Sequence, residues 1–112
     1  MLTIDNLKEL GADTANGIIR CANDEGFYLR MVTLSLQDPN FDKLDETVKK
    51  GDLAGAFECA HALKGVLGNV GLTSLYEPIA EMTEELRVHK DIDYSGYLET
   101  ISTELSKIRA MV

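Results

Sequence analysis

Apolar residues recur three and four positions apart nearly throughout this chain, and no stretch alternates strictly enough to form a confident strand. Such spacing gives each segment one apolar stripe, and stripes of this kind are buried by packing helix on helix. Stop signals divide the pattern. A short opening turn over residues 3–10 ends at Gly11, and Asp13 is placed to cap a helix carrying Ala15, Ile18, Ile19 and Ala22. Asn23-Asp24 breaks that helix. The next, from about 25 to 37, aligns Tyr28, Met31, Val32 and Ser35. After Asp38-Pro39, Asn40 is the expected N-cap of a segment with Phe41, Leu44 and Val48 on one side, ended by Lys49-Lys50-Gly51.

Three longer signals follow. Asp52 caps a helix that runs to about Val70 and closes at Gly71. Ser74 and Glu77 have capping-box spacing and open a helix through about Lys90, with Pro78 in its first turns and Leu75, Ile79, Met82 and Leu86 inward. Asp93 caps the last helix, whose inner side reads Tyr97, Leu98, Ile101, Leu105 and Ile108. Connections this short favour antiparallel neighbours. The expected fold is all-α, an antiparallel four-helix bundle (about 40–50, 52–70, 73–90 and 94–111) with additional short N-terminal helices alongside, as one domain over residues 1–112.

Composition sets the exclusions. The 112 residues include 19 acidic and 11 basic ones, a net charge of −8, which argues against a nucleic-acid partner because phosphate backbones recruit excess Lys and Arg. No apolar run approaches the roughly 20 residues of a membrane span. The start, MLTIDNLKELG, lacks a basic lead and an apolar signal core, so a cytoplasmic protein is expected, and a monomer. The absence of linker at either end favours a free-standing protein. Cys21 and Cys59 lie 38 positions apart with no ligand spacing, and both read as buried, reduced thiols.

One helix carries residues that packing does not require. On a wheel of about 100° per residue, Leu53, Ala56, Ala60, Leu63, Leu67 and Val70 share the core sector. Gly65 and Gly68 fall within about 40° of His61 on the flank of that sector, with Lys64 at its edge. A glycine inside a helix costs roughly 1 kcal/mol relative to alanine. Two of them beside a histidine give no obvious structural return; they clear the surface next to the ring, so that a macromolecule can approach or a bulky group can sit there. Lys64, at i+3, suits a group with negative charge. An accessible imidazole is a good nucleophile near neutral pH. With clearance and a nearby cation, it is suited to holding a phosphoryl group and passing it on.

The string Ala60-His61-Ala62-Leu63-Lys64-Gly65-Val66-Leu67-Gly68-Asn69-Val70-Gly71 resembles the signature of histidine-containing phosphotransfer (HPt) domains of bacterial two-component phosphorelays. That signature is approximately A-H-x-L-K-G-x-x-x-x-h-G, with h apolar and often preceded by Gly-Asn. The likeness extends to Gly11–Tyr28 and to Leu72, Leu75 and Ala80. It implies a four-helix core, His61 as the phosphorylated residue, Lys64 as electrostatic helper and Gly65 as the clearance for a docking receiver domain. Gly68, Ala62, Phe57 and Asn69 are the further partner-contact candidates. The implied partners are response-regulator receiver domains and a hybrid sensor kinase. No cofactor is expected on this chain, magnesium being supplied by the receiver.

Two positions depart from the pattern: Val66 and Leu67 stand where the family commonly has small residues. Leu67 falls on the core face, and Val66 lies nearer the far rim, where it bears on which receiver fits. Chemotaxis-kinase phosphotransfer domains usually show an arginine before and a threonine after the histidine. Plant and fungal relay proteins show Gln after it and Ser-Ser after the glycine. Neither pattern occurs here, which points to a bacterial relay type.

The remaining candidates read more simply. His89, in Arg87-Val88-His89-Lys90, is a cation at a helix end. Glu81, Glu84 and Glu85 read as a solvated face. Asp91 and Asp93 lack the rest of a calcium loop, and Met31, Met82 and Met111 read as core fillers. No nucleotide motif is present, so no kinase activity is expected. A different class of function stays open, that of a helical docking or inhibitory module that binds a receiver or kinase without taking phosphate.

Overall fold

The computed structural model describes residues 1–112 and contains seven helices: α1 (Ile4–Glu9), α2 (Thr14–Arg20), α3 (Glu25–Ser35), α4 (Asn40–Lys49), α5 (Leu53–Val70), α6 (Thr73–Arg87) and α7 (Ser95–Arg109). No strand is present. Helix α4 packs on α5, α5 on α6 and α6 on α7, while α2 and α3 also lie against α5. Only Gly71 and Leu72 separate α5 from α6, so the chain must double back on itself there. The Arg109 guanidinium, 6.0 Å from the centre of the Phe41 ring, donates to the Leu36 carbonyl at 2.7 and 3.1 Å. It ties the end of α7 to the α3–α4 turn.

The core follows the helical stripes. Ala56, Ala60, Leu63 and Leu67 of α5 and Leu75, Ile79, Met82 and Leu86 of α6 are all 0% exposed. Ile101, Leu105 and Ile108 are buried on α7, with Tyr97 and Leu98 half-buried beside them. Both cysteines are buried and unpaired, and burial pushes the Cys59 thiol above its usual range. Of the expected methionine fillers, Met82 is fully buried and Met31 and Met111 are half-buried.

Several boundaries differ from the sequence expectation. Asn40 is the first residue of α4 rather than its cap. Its N–H donates to Asp38 Oδ1 at 2.8 Å, and the intervening Pro39 has no N–H to satisfy. Ser74 and Glu77 form no capping box: buried Leu72 occupies the cap position of α6, two residues before Ser74, without a side-chain cap. Helix α6 stops at Arg87 rather than Lys90. His89 there turns to φ +52°, and the N–H groups of His89 and Lys90 fold back onto Leu86 and Glu85. Asp93 is not the cap of α7: buried Tyr94 holds that position without a side-chain cap, and Asp93, one residue earlier, accepts the Ser95 N–H at 2.9 Å. On α2 the inward face is Thr14, Gly17 and, partly, Ile18, followed by Cys21. Ala15, Ile19 and Ala22 point to solvent.

The α2 face is shifted because Gly17 lies directly against α5. A Cβ at Gly17 would collide with the Tyr28 ring and would come to 2.9 Å from the Val70 carbonyl oxygen. Tyr28, fully buried on α3, donates its hydroxyl to that same carbonyl at 2.8 Å. Gly71 follows with φ +68°, a conformation L side chains rarely adopt. Its N–H returns to Gly68 O at 3.3 Å and the Leu72 N–H to Leu67 O at 3.1 Å, the two bonds of a Schellman closure.

Burial raises the Tyr28 hydroxyl from its ordinary value near 10 to about 12. The folded state therefore holds this proton more tightly than the unfolded chain does. The resulting stabilisation is complete below pH 10 and is lost as pH rises from 10 toward 12. Tyr28→Phe should lower stability by about 1–2 kcal/mol near pH 8, since it leaves the Val70 carbonyl unpaired. In paired urea titrations, the gap between wild type and variant should narrow as pH rises above 10. A gap independent of pH would contradict the assigned role of the hydroxyl.

Candidate functional site

Helix α5 presents the same flank that the wheel isolates. His61 and Gly65 are exposed, Lys64 and Gly68 are half-buried, and the core residues lie behind them. This flank opens onto a groove of about 530 Å³ whose walls come from three places: Asp13, Asn16 and Arg20 of the N-terminal segment; His61, Lys64, Gly65, Gly68 and Asn69 of α5; and Gly71, Thr73 and Tyr76 at the turn into α6. The fastening of Gly71 to the N-terminal segment brings these walls together. The Asp13 N–H donates to Gly71 O at 2.8 Å, and Arg20 donates to Asn69 Oδ1 at 3.3 Å.

The two glycines play different parts. A Cβ at Gly65 would meet no atom within 4 Å, so that position is open space beside the imidazole. A Cβ at Gly68 would lie 3.3 Å from Tyr76 Cε2, so Gly68 lets the tyrosine ring pack closely against α5. Only Gly65 is thus without a packing reason. Leu67, a departure from the family pattern, is 0% exposed and belongs to the core. Val66 is half-buried and does not line the groove.

On the other side of His61 lies a stacked and charged cluster. The Phe57 ring, one turn earlier on α5, stacks on the imidazole with centroids 5.6 Å apart and planes 16° from parallel. Arg87 of α6 sits over the Phe57 ring at 5.1 Å. Its Nε and one terminal nitrogen donate to the two Glu84 oxygens at 3.1 and 3.4 Å. Glu84 Oε1 is also 3.8 Å from Lys64 Nζ. The Arg87 hydrogen bonds, with smaller contributions from the nearby Lys64 and His61 charges, hold the Glu84 carboxyl below its usual range. Phe57, expected as a partner contact, therefore touches the imidazole itself. Ala62 is exposed but outside the groove, while Gly68 and Asn69 line it.

Sequence reading placed Glu84 on a merely solvated face and gave Arg87 no part in the site. The missed signal was register: Glu84 and Arg87 are spaced i, i+3 on α6. Which helix faces them across the bundle cannot be read from spacing alone. His89 is exposed in the left-handed turn beyond α6, away from the groove-lining residues. Asp91 and Asp93 belong to no group of three or more potential metal ligands.

Comparison with protein families decides the affiliation: the model of the Hpt domain matches residues 30–111. The chain belongs to the Hpt family. Hpt domains are histidine phosphotransfer modules of two-component signalling; they carry phosphoryl groups, are not kinases, and work with response-regulator receivers and kinases. No curated protein and no solved structure matches the chain. The family match starts within α3, so the groove residues Asp13, Asn16 and Arg20 lie outside the matched Hpt segment. No helix of this Hpt protein is long and apolar enough to cross a membrane.

The difference between the glycines is measurable. Gly65→Ala should raise the melting temperature by a few degrees, since a methyl in open space returns up to about 1 kcal/mol of helix propensity. Gly68→Ala should give a smaller gain or a loss, because Tyr76 must shift by a few tenths of an ångström. Equal gains in thermal melts of the two variants would show that Tyr76 imposes no constraint on α5.

Proposed function

We propose that this protein relays a phosphoryl group between receiver-domain aspartates through His61. The observation that carries the reading is the exposed imidazole at the edge of a groove, next to a helix-interior glycine where an added Cβ would meet nothing within 4 Å. Docking of a receiver brings its aspartyl phosphate to the imidazole. The unprotonated ring nitrogen attacks phosphorus, so the N–P bond forms as the acyl O–P bond breaks and the aspartate leaves as carboxylate. The other ring nitrogen keeps its proton through the step and can release it to solvent afterwards. Transfer to the second receiver runs the same displacement in reverse.

Each neighbour has a share in this. Phe57, stacked at 5.6 Å, restricts rotation of the imidazole and so reduces the ordering left for docking to impose. Lys64 offsets charge gathering on the equatorial oxygens. Gly65 leaves room for the receiver loop, and Gly68 and Asn69 continue the contact surface along the groove. Ala62 adds exposed surface beside the histidine. The divalent cation needed for aspartyl phosphate chemistry is assigned to the receiver, so this chain requires no cofactor. We place the protein in the cytoplasm as a monomer spanning residues 1–112 as one unit, receiving phosphate from a hybrid sensor kinase through its receiver.

A phosphorylated receiver should label the wild-type protein at one acid-labile, base-stable site. His61→Gln should remove the label completely; a persistent label would overturn the assignment. Gly65 replaced by a bulky residue should slow transfer at least tenfold without unfolding the helix. Lys64→Ala should lower the transfer rate more than the binding constant. Binding of receivers by a wild-type protein that never takes label would instead identify a docking or inhibitory module.

A further inference from the structure

The cluster around His61 contains an anion that phosphoryl transfer does not require. Glu84 stands on α6, and one of its oxygens faces Lys64 while both accept from Arg87. It is more than half exposed, so it is not needed to fill the core or to satisfy a buried donor. Yet it engages the cation on α5 that would otherwise face only the histidine side of the groove. In a chain of net charge −8, a carboxylate at this position withholds positive charge from the one place where a dianion is to be held.

Resting on the carrier reading above, we infer that Glu84 is a resident counter-anion that raises the phosphoryl-transfer potential of His61. Without phosphate, Lys64 pairs with Glu84. With a phosphoryl dianion on His61, Lys64 turns to the stronger charge, and Glu84 keeps Arg87 as its only partner while facing the phosphoryl oxygens as a like charge. The phosphorylated state loses an ion pair and gains a repulsion that the unphosphorylated state lacks. Both effects favour onward transfer over storage. Glu84 touches no reacting atom; it is a positioning residue that acts through Lys64 and through the field of its own charge. Like charges several ångströms apart near a protein surface repel enough to shift an equilibrium by about three- to tenfold, and less as salt screens them.

The inference is tested by partition. Wild-type protein and Glu84→Gln, one of them isotopically heavy, are mixed in equal amounts with a trace of a receiver domain that labels the wild type. Intact-mass spectrometry at basic pH then reads how the phosphoryl group divides between them at equilibrium. Glu84→Gln retains an oxygen that accepts from Arg87 but removes the charge. It should hold about threefold or more of the label at low salt, with the ratio falling toward one at 0.5 M salt. Glu84→Asp, which restores the charge, should share the label nearly equally with wild type. Equal sharing between wild type and Glu84→Gln at low salt would overturn the inference, as would an excess on wild type or a ratio unmoved by salt. Failure of the carrier reading looks different: no receiver labels the wild-type protein at all, and the role of Glu84 falls with it.

Discussion

The left-handed turn at Gly71 ends the helix that carries His61, reverses the chain into α6 and receives the N-terminal segment through the Asp13–Gly71 hydrogen bond of 2.8 Å. These three demands meet at one backbone position. A Cβ there would strike the Asp13 carbonyl, so glycine is required both for φ +68° and for the close approach. Next to it, the Val70 carbonyl is held by the buried Tyr28 hydroxyl. The C-terminal end of α5 is therefore fixed on several sides, and the groove beside His61 takes its shape from that end. Asn16 and Arg20 reach the groove because Gly17 lets α2 lie against α5 there.

From this anchored end the candidate site residues are laid out along one helical flank. Leu63 and Leu67 are buried in the core, which fixes the rotation of α5 and with it the outward direction of His61, Lys64 and Gly65. Phe57, with Arg87 over its ring, flanks the imidazole on one side, and the groove leaves it open on the other. On the proposed reading, an imidazole stacked on Phe57 with a cation one turn away needs little rearrangement when a partner docks. Bulk electrostatics give no help in bringing the partner, since the chain is strongly acidic. On the proposed reading recognition rests on local shape, and the groove includes Asp13, Asn16 and Arg20 from outside the family match.

Much of this could be read from residue order because helices impose a strict period. The wheel placed His61, Lys64 and Gly65 on one flank and Ala56, Ala60, Leu63 and Leu67 on another, and the structure keeps both groups. Local signals were weaker where a tertiary contact competed with them. Leu72 is drawn into the core and takes the cap position that Ser74 was expected to fill for α6. The close contact of Gly17 with Tyr28 decides which side of α2 is buried, against the apparent apolarity of Ala15 and Ile19. Gly68 looked like a twin of Gly65, and only the position of the Tyr76 ring separates them. The part of Glu84 and Arg87 is illegible in the sequence for a similar reason: spacing on α6 says they pair, but not that α5 and His61 lie opposite.

The central claim is that the phosphoryl group resides on an imidazole nitrogen of His61. It is tested most directly by nuclear magnetic resonance of protein labelled with ¹⁵N-histidine and incubated with a phosphorylated receiver. A ³¹P signal in the phosphoramidate range, coupled to a ring nitrogen assigned to His61, is the predicted result. Coupling to the exposed His89, or phosphorus that stays on the receiver while the two proteins bind, would contradict it.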